Sequence, residues 1–162
     1  MIVLAIDPGF GRCGVAVLLG GGSKAALTYS DCIQTDTKKI FSDRLLVVAN
    51  EILRLIETYK PETIAIEELY FTNNAKTALH VAEVRGMLMY LAVSKNIPLV
   101  EYNPLAIKIA ITGYGRATKE QVTKMVEKLV TIPSKKMLDD EYDAIALGLT
   151  ALASAQYNSM RK

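Results

Sequence analysis

The chain has 162 residues and is 51% hydrophobic, with 19 Lys and Arg against 17 Asp and Glu for a formal charge of +2. That length suits one domain, residues 1–162, with a core of its own, and the composition excludes a disordered chain. Ala144 to Ala155, the longest nearly apolar stretch, is too short to span a bilayer, and the start at Met1 lacks the basic residues of a signal peptide.

Ile2–Ile6 is a short, β-branched apolar run, as in a central strand buried on both faces. Gly14–Leu19 and Ala26–Ile33 follow as strands, with Gly20-Gly21-Gly22-Ser23 as the hairpin loop between them. Phe41, Leu45, Val48, Ile52, Leu55, Ile56 and Tyr59 form one helical stripe, stopped by Pro61. Thr63–Glu67 reads as a strand, Ala75 to Asn96 as a helix ended by Pro98, and Leu99–Tyr102 as a fifth strand. Pro104–Thr112 is helical, with proline in the first turn. Thr118 and Gln121 match a capping box ahead of Val122, Met125, Val126 and Leu129. A last helix starts near Asp139 or Asp140 and runs to about Ser154. The expected fold is α/β, a mixed five-stranded sheet flanked by helices. The apolar residues of the 75–96 helix cover most of its circumference, so another layer or a partner subunit must bury it, and a homodimer is expected.

Three places carry carboxylates suited to chemistry. Asp7 ends the first central strand, followed by Pro8 and Gly9 and then Gly11 and Gly14, glycines that let another backbone or a phosphate approach closely. Burying an unpaired carboxylate there is costly, although an Asp-Pro-Gly turn also explains it. Glu67 ends the 63–67 strand at the edge where open sheets place ligands, and Glu68 follows at once. Successive strand residues point to opposite faces, so one of the two can join Asp7, and the pattern does not choose between them. Asp140 and Asp143 share a helical face, with Asp139 the natural cap and Asp140 the alternative. Such acids could also be ordinary first-turn residues. Four converging carboxylates need counter-charge, and hard oxygen ligands favour Mg²⁺ or Mn²⁺ in two-metal phosphoryl chemistry. His80, inside a helix, reads as a packed or surface residue. Cys13 and Cys32 are too few for a disulfide framework or a zinc site, so reduced thiols and a cytoplasmic setting are expected.

The +2 is unevenly spread. Lys108 to Lys136 holds seven basic residues against Glu120 and Glu127, and Asp139-Asp140-Glu141-Tyr142-Asp143 follows directly. A polyanion site beside a metal site and a pair of solvated faces both fit this pattern.

Read in order, the chain resembles the RuvC family of Holliday-junction resolvases, within the ribonuclease H-like superfamily. The matching residues are Ile6-Asp7-Pro8-Gly9, Ala65-Ile66-Glu67-Glu68-Leu69-Tyr70, Asn74-Ala75 with Ala78-Leu79, and Arg85-Gly86. Glu101-Tyr102, Lys108, Gly113 with Gly115, Lys119 with Gln121-Val122, and Asp140 with Asp143-Ala144 continue the match.

The resemblance implies a ribonuclease H-like sheet of three antiparallel N-terminal strands and two parallel ones. It selects Glu67 over Glu68 and makes Asp7, Glu67, Asp140 and Asp143 the ligands of two Mg²⁺ per subunit, with Mn²⁺ as substitute. It implies Lys119 as a further catalytic residue. Tyr70 matches a base-stacking aromatic with Phe71 beside it, and Lys76, Lys108, Arg116 and Lys119 complete the DNA-binding set. Relatives dimerise through the helix matching 75–96, and a branch-migration helicase is an implied partner; no membrane is. The tail after Ser154 is shorter and less basic than in several relatives.

The implied activity is a paired, symmetric cut of four-way DNA junctions, giving 5′-phosphate and 3′-hydroxyl ends. An RNA-processing nuclease of the YqgF type and a non-catalytic junction-binding module are the alternatives. A sugar-kinase or actin-like ATPase also opens with Asp-x-Gly after a strand, but 162 residues leave no room for its duplicated domain.

Overall fold

The computed structural model describes residues 1–20, 25–68 and 75–160, with the side chains of 75, 76, 159 and 160 left out. Five strands form one sheet: β1 (Ile2–Asp7), β2 (Arg12–Leu19), β3 (Ala26–Gln34), β4 (Thr63–Glu67) and β5 (Leu99–Tyr102), in the order β3-β2-β1-β4-β5. β1, β2 and β3 pair antiparallel, and β1-β4 and β4-β5 pair parallel, as expected from sequence. The helices are α1 (Phe41–Tyr59), α2 (Ala75–Ser94), α3 (Pro104–Thr112), α4 (Lys119–Leu129) and α5 (Asp139–Met160).

The two faces of the sheet carry different cores. Leu4, Ile6, Val15, Val17, Ile64 and Ile66 pack against α1 and α2, where Val48, Ile52, Leu55, Val84 and Leu88 are buried. Val3, Ala5, Ala16, Leu18 and Ala65 turn to the other side, under Ala144, Ile145, Leu147 and Ala151 of α5. Small residues on both partners let α5 settle close to the sheet: a Cβ on Gly148 would lie 2.3 Å from Leu18 Cδ1 and 3.2 Å from Ala5 Cβ.

Local signals set the helix ends. In α4 the capping box forms, Gln121 N–H donating to Thr118 Oγ1 and Thr118 N–H to Gln121 Oε1. Asn103 caps α3, accepting from Ala106 N–H at 2.7 Å, and Gly113 closes it in the left-handed region at φ 73°.

Several boundaries differ from the sequence expectations. β2 starts two residues earlier than Gly14, at Arg12, and β3 extends to Gln34. α2 stops at Ser94, with Asn96 at φ 56°, and α5 continues past Ser154 to Met160. Asp139 does not precede the last helix as its cap; it is the first residue of α5. The glycines of the β2–β3 hairpin beyond Gly20 lie outside the described residues.

Candidate active site

Strand parity decides which acids meet. In β1, Val3 and Ala5 face α5 while Leu4 and Ile6 face away, so Asp7 falls on the α5 side. In β4, Ala65 faces α5 and Ile64 and Ile66 face away, so Glu67 falls on that side too. Parallel pairing of Ala5 with Ala65 and Ile6 with Ile66 then sets the two carboxylates side by side at the same strand ends. Glu68 is exposed, its N–H bonded to the Tyr102 carbonyl at 2.9 Å.

Asp140 and Asp143 arrive from the first turn of α5. Asp7 pairs across the sheet with Gly14, and a Cβ on Gly14 would lie 1.9 Å from the Asp140 carbonyl oxygen. The bare backbone at Gly14 is therefore what admits the start of α5 beside Asp7.

Burial first, then Glu67, Asp143 and Asp140 as negative neighbours, push Asp7 up to about 7. Burial and Asp143 raise the pKa of Glu67, and burial is also the main force raising that of Asp143. Lys119 opposes all three shifts. As the first residue of α4, it sets Nζ 2.8 Å from Asp143 Oδ2 and 3.6 Å from Asp139 Oδ2. Burial works against its ammonium, but the bonds to Asp143 and Asp139 outweigh that and raise its pKa.

A cleft of about 240 Å³ opens at these groups. Glu67, Asp143, Lys108 and Lys119 supply its polar wall, and Pro104, Ile107, Val122 and Ala146 its apolar one. On α2, Arg85 donates to the Glu67 carbonyl and to the Glu101 carboxylate, which ties the end of β4 to β5.

The donor set suits hard divalent cations: oxygen atoms only, carrying more negative charge than Lys119 offsets. Asp140 Oδ2 is buried and accepts no hydrogen bond from the described residues, with Arg12 Nε 3.3 Å away as its charge partner. Among the described residues, no three His, Cys, Asp or Glu side chains are drawn together closely enough to hold an ion. Lys119 engages Asp143 and Arg12 engages Asp140 instead.

The structure thus brings Asp7, Glu67, Asp140, Asp143, Lys108 and Lys119 to one place. Arg116 is exposed in the turn between α3 and α4 and does not line the cleft. Tyr70, Phe71 and the Lys76 side chain lie outside the described residues. His80 is packed: its ring stacks on Phe41 at 4.1 Å and Nδ1 lies 2.9 Å from Glu83. Cys13 and Cys32 are buried and free. Gly14, which the sequence marks as a place for close backbone approach, meets the Asp140 backbone there, whereas Arg12 and Glu141 are contributors that sequence reasoning missed. Glu141 had a usable signal, because it lies one helical turn before the fully buried Ile145.

The five-stranded mixed sheet in this order, flanked by helices, is a ribonuclease H-like fold, with acids where β1, β4 and α5 meet. Residues 3–151 match the family profile described as crossover junction endodeoxyribonuclease RuvC. The RuvC of Ruminiclostridium cellulolyticum is 42% identical over 149 residues, covering 92% of this chain and 90% of that protein. The RuvC of Moorella thermoacetica is 39% identical, covering 100% and 97%. Thermus thermophilus RuvC, solved in complex with a Holliday junction substrate, superposes with a TM-score of 0.91 at 28% identity, over 98% of this chain and 96% of that one. The chain belongs to the RuvC family. Among the described residues, no helix is long and apolar enough to cross a membrane.

Proposed function

We infer that this chain is an endodeoxyribonuclease that resolves four-way DNA junctions. The observation that carries the inference is the convergence of Asp7, Glu67, Asp140 and Asp143 beside Lys119 and an open cleft, in a member of this family. Two divalent cations of the Mg²⁺ type, held by these four acids, would supply the Lewis-acid charge for attack on the scissile phosphate and departure of the 3′ oxygen.

The chain's own groups do the rest. Lys108 and Lys119 face the cleft and attract the phosphate backbone. Lys119, at the N-terminus of α4, offsets negative charge developing on the phosphoryl oxygens. Pro104, Ile107, Val122 and Ala146 supply the apolar part of the cleft's lining. The products are a 5′-phosphate and a 3′-hydroxyl.

A second copy completes the function. Leu79, Tyr90 and Val93 on α2 are 61%, 71% and 74% exposed, and a Cβ on the intervening Gly86 would meet nothing. This apolar stripe, with a small residue at its centre, suits α2 packing on α2 about a two-fold axis. Two acid clusters so related cut opposed strands symmetrically. Replacing both Tyr90 and Val93 with Glu is expected to give a monomer at micromolar concentration by light scattering. Bilateral cutting should then fall at least about tenfold, in line with loss of central interface anchors.

The substrate class is tested by incubating the protein with four-way junction, flap, linear duplex and RNA, with and without Mg²⁺. Cutting confined to the junction and dependent on the cation is expected. Preferential cutting of RNA would assign the chain to RNA processing instead.

A further inference from the structure

Glu141 stands in sequence among the acids of the site, yet its carboxylate is spent elsewhere. The side chain is 4% exposed, with Oε2 2.8 Å from Lys135 Nζ. The same oxygen accepts from Ser30 Oγ at 3.1 Å, and Oε1 accepts from the Leu138 N–H at 3.2 Å. Lys135 also donates to the Ser30 carbonyl at 2.8 Å. Ser30 lies on β3 opposite Ala16, on the face that α5 covers. One buried carboxylate thus joins β3, the 131–138 connector and the first turn of α5.

That turn bears Asp140 and Asp143, and it needs an anchor. A helix's first N–H groups lack partners within the helix, so its first turn frays readily. Mutual repulsion with Asp7 and Glu67 adds a force pushing it off the sheet. Gly14 lets the turn approach, but a missing side chain holds nothing in place. The bond from Leu138 N–H to Glu141 is the reach-back half of a capping box, three residues apart. The Lys135 and Ser30 bonds fasten the same side chain to the sheet.

We propose that Glu141 is a positioning residue, clamped by Lys135 and Ser30, that holds the first turn of α5 against the sheet and so keeps Asp140 and Asp143 beside Asp7 and Glu67, where the four acids can take up divalent cations. The proposal rests on Asp140 and Asp143 being cation ligands. It gives the internal pairing of Lys135, from the basic stretch, a purpose separate from DNA contact.

The test is Mn²⁺ binding to the DNA-free protein, followed by electron paramagnetic resonance, in Glu141→Gln, Ser30→Ala, Lys135→Met and Asp140→Asn. Glu141→Gln is expected to weaken Mn²⁺ binding about tenfold, the scale of losses when a ligand's supporting partner is removed. Ser30→Ala and Lys135→Met should each weaken it about threefold. The Glu141→Gln/Lys135→Met pair should be no weaker than Glu141→Gln alone, because both act through one link. Cutting should recover in Glu141→Gln, Ser30→Ala and Lys135→Met as Mg²⁺ is raised. Affinities within twofold of the parent in all three single variants, whatever their melting temperatures, would overturn the clamp. Unchanged Mn²⁺ binding in Asp140→Asn would instead overturn the ligand reading on which it rests. Should Glu141→Gln not fold, the other two variants decide.

Discussion

Asp7→Asn is expected to abolish junction cutting, by at least about a thousandfold, while making the metal-free protein more stable. The first effect follows from loss of the one acid that faces the other three. Removing one member of a unit that acts together costs nearly as much as removing all of it. The second follows from charge. Asp7 is pushed up to about 7 by burial and by Glu67, Asp143 and Asp140, against 3.8 for the free side chain. A carboxylate with a raised folded-state pKa binds more protons folded than unfolded between those values. Stability therefore falls as pH rises from about 4 through about 7, and the full penalty stands above that. Each pKa unit is about 1.4 kcal/mol, so the penalty is bounded at about 4 kcal/mol.

Asn carries no charge to penalise. At pH 8 in a chelator, Asp7→Asn should melt about 5 °C above the parent, and the gap should close towards pH 4. Saturating Mg²⁺ should reverse the order, because the parent binds it more tightly. Junction binding without metal should persist, since one negative charge facing the phosphates has been removed. Calorimetry across pH and a gel-shift measurement check these outcomes. A melting point for Asp7→Asn equal to or below the parent's at pH 8 in chelator would contradict the electrostatic account of the site.

Gly14→Ala is expected to disable the enzyme without altering a charged group. The new Cβ would lie 1.9 Å from the Asp140 carbonyl oxygen and 2.5 Å from its carbon. Both are backbone atoms at the start of a 22-residue helix, so no side chain can swing aside. Gly14 is not among the residues at positive φ, so the glycine is required by close approach and not by its own conformation. The start of α5 must lift from β2 by about 1 Å or more to restore van der Waals separation. Misplacement on that scale costs about a hundredfold in rate. Overpacking of this kind also destabilises by about 1–3 kcal/mol, roughly 5 °C in a chain this long. Gly11→Ala is the control, because its Cβ would meet only the end of the Arg44 side chain, at 3.4 Å. Parent-like cutting by Gly14→Ala would show that Asp140 does not depend on this approach.

The sheet was readable because each strand carries its own signal. The β-branched runs at Ile2–Ile6 and Thr63–Glu67 place Asp7 and Glu67 at strand ends without any tertiary information. Choosing Glu67 over Glu68 needed more. One strand's alternation fixes faces only relative to itself, and the register Ala5 to Ala65 is what makes Asp7 and Glu67 coplanar neighbours. The clamp at Glu141 was hidden for a different reason. Its partners Ser30 and Lys135 are themselves 105 residues apart in sequence, a separation over which local pattern says nothing. The same distance effect hid the internal pairings within the basic stretch. Lys119 and Lys135 look like parts of a basic face, but both pair with acids of the α5 turn. The C-terminal end of α5 was placed short because Gln156, Tyr157 and Asn158 end the apolar pattern, while a helix already nucleated on the sheet continues without burial. Asp139 has a good capping side chain, yet the Glu141 reach-back starts the helix one residue sooner.

The central claim is that paired acid clusters make symmetric, metal-dependent cuts in a four-way junction. Its most direct test is a junction labelled on each of its four strands in turn, incubated with Mg²⁺ and mapped at nucleotide resolution. Nicks at matching positions in two opposed strands, sealed by DNA ligase and missing in chelator, are the predicted result. Cuts in adjacent strands, ends that ligase cannot join, or cutting that persists in chelator would contradict it.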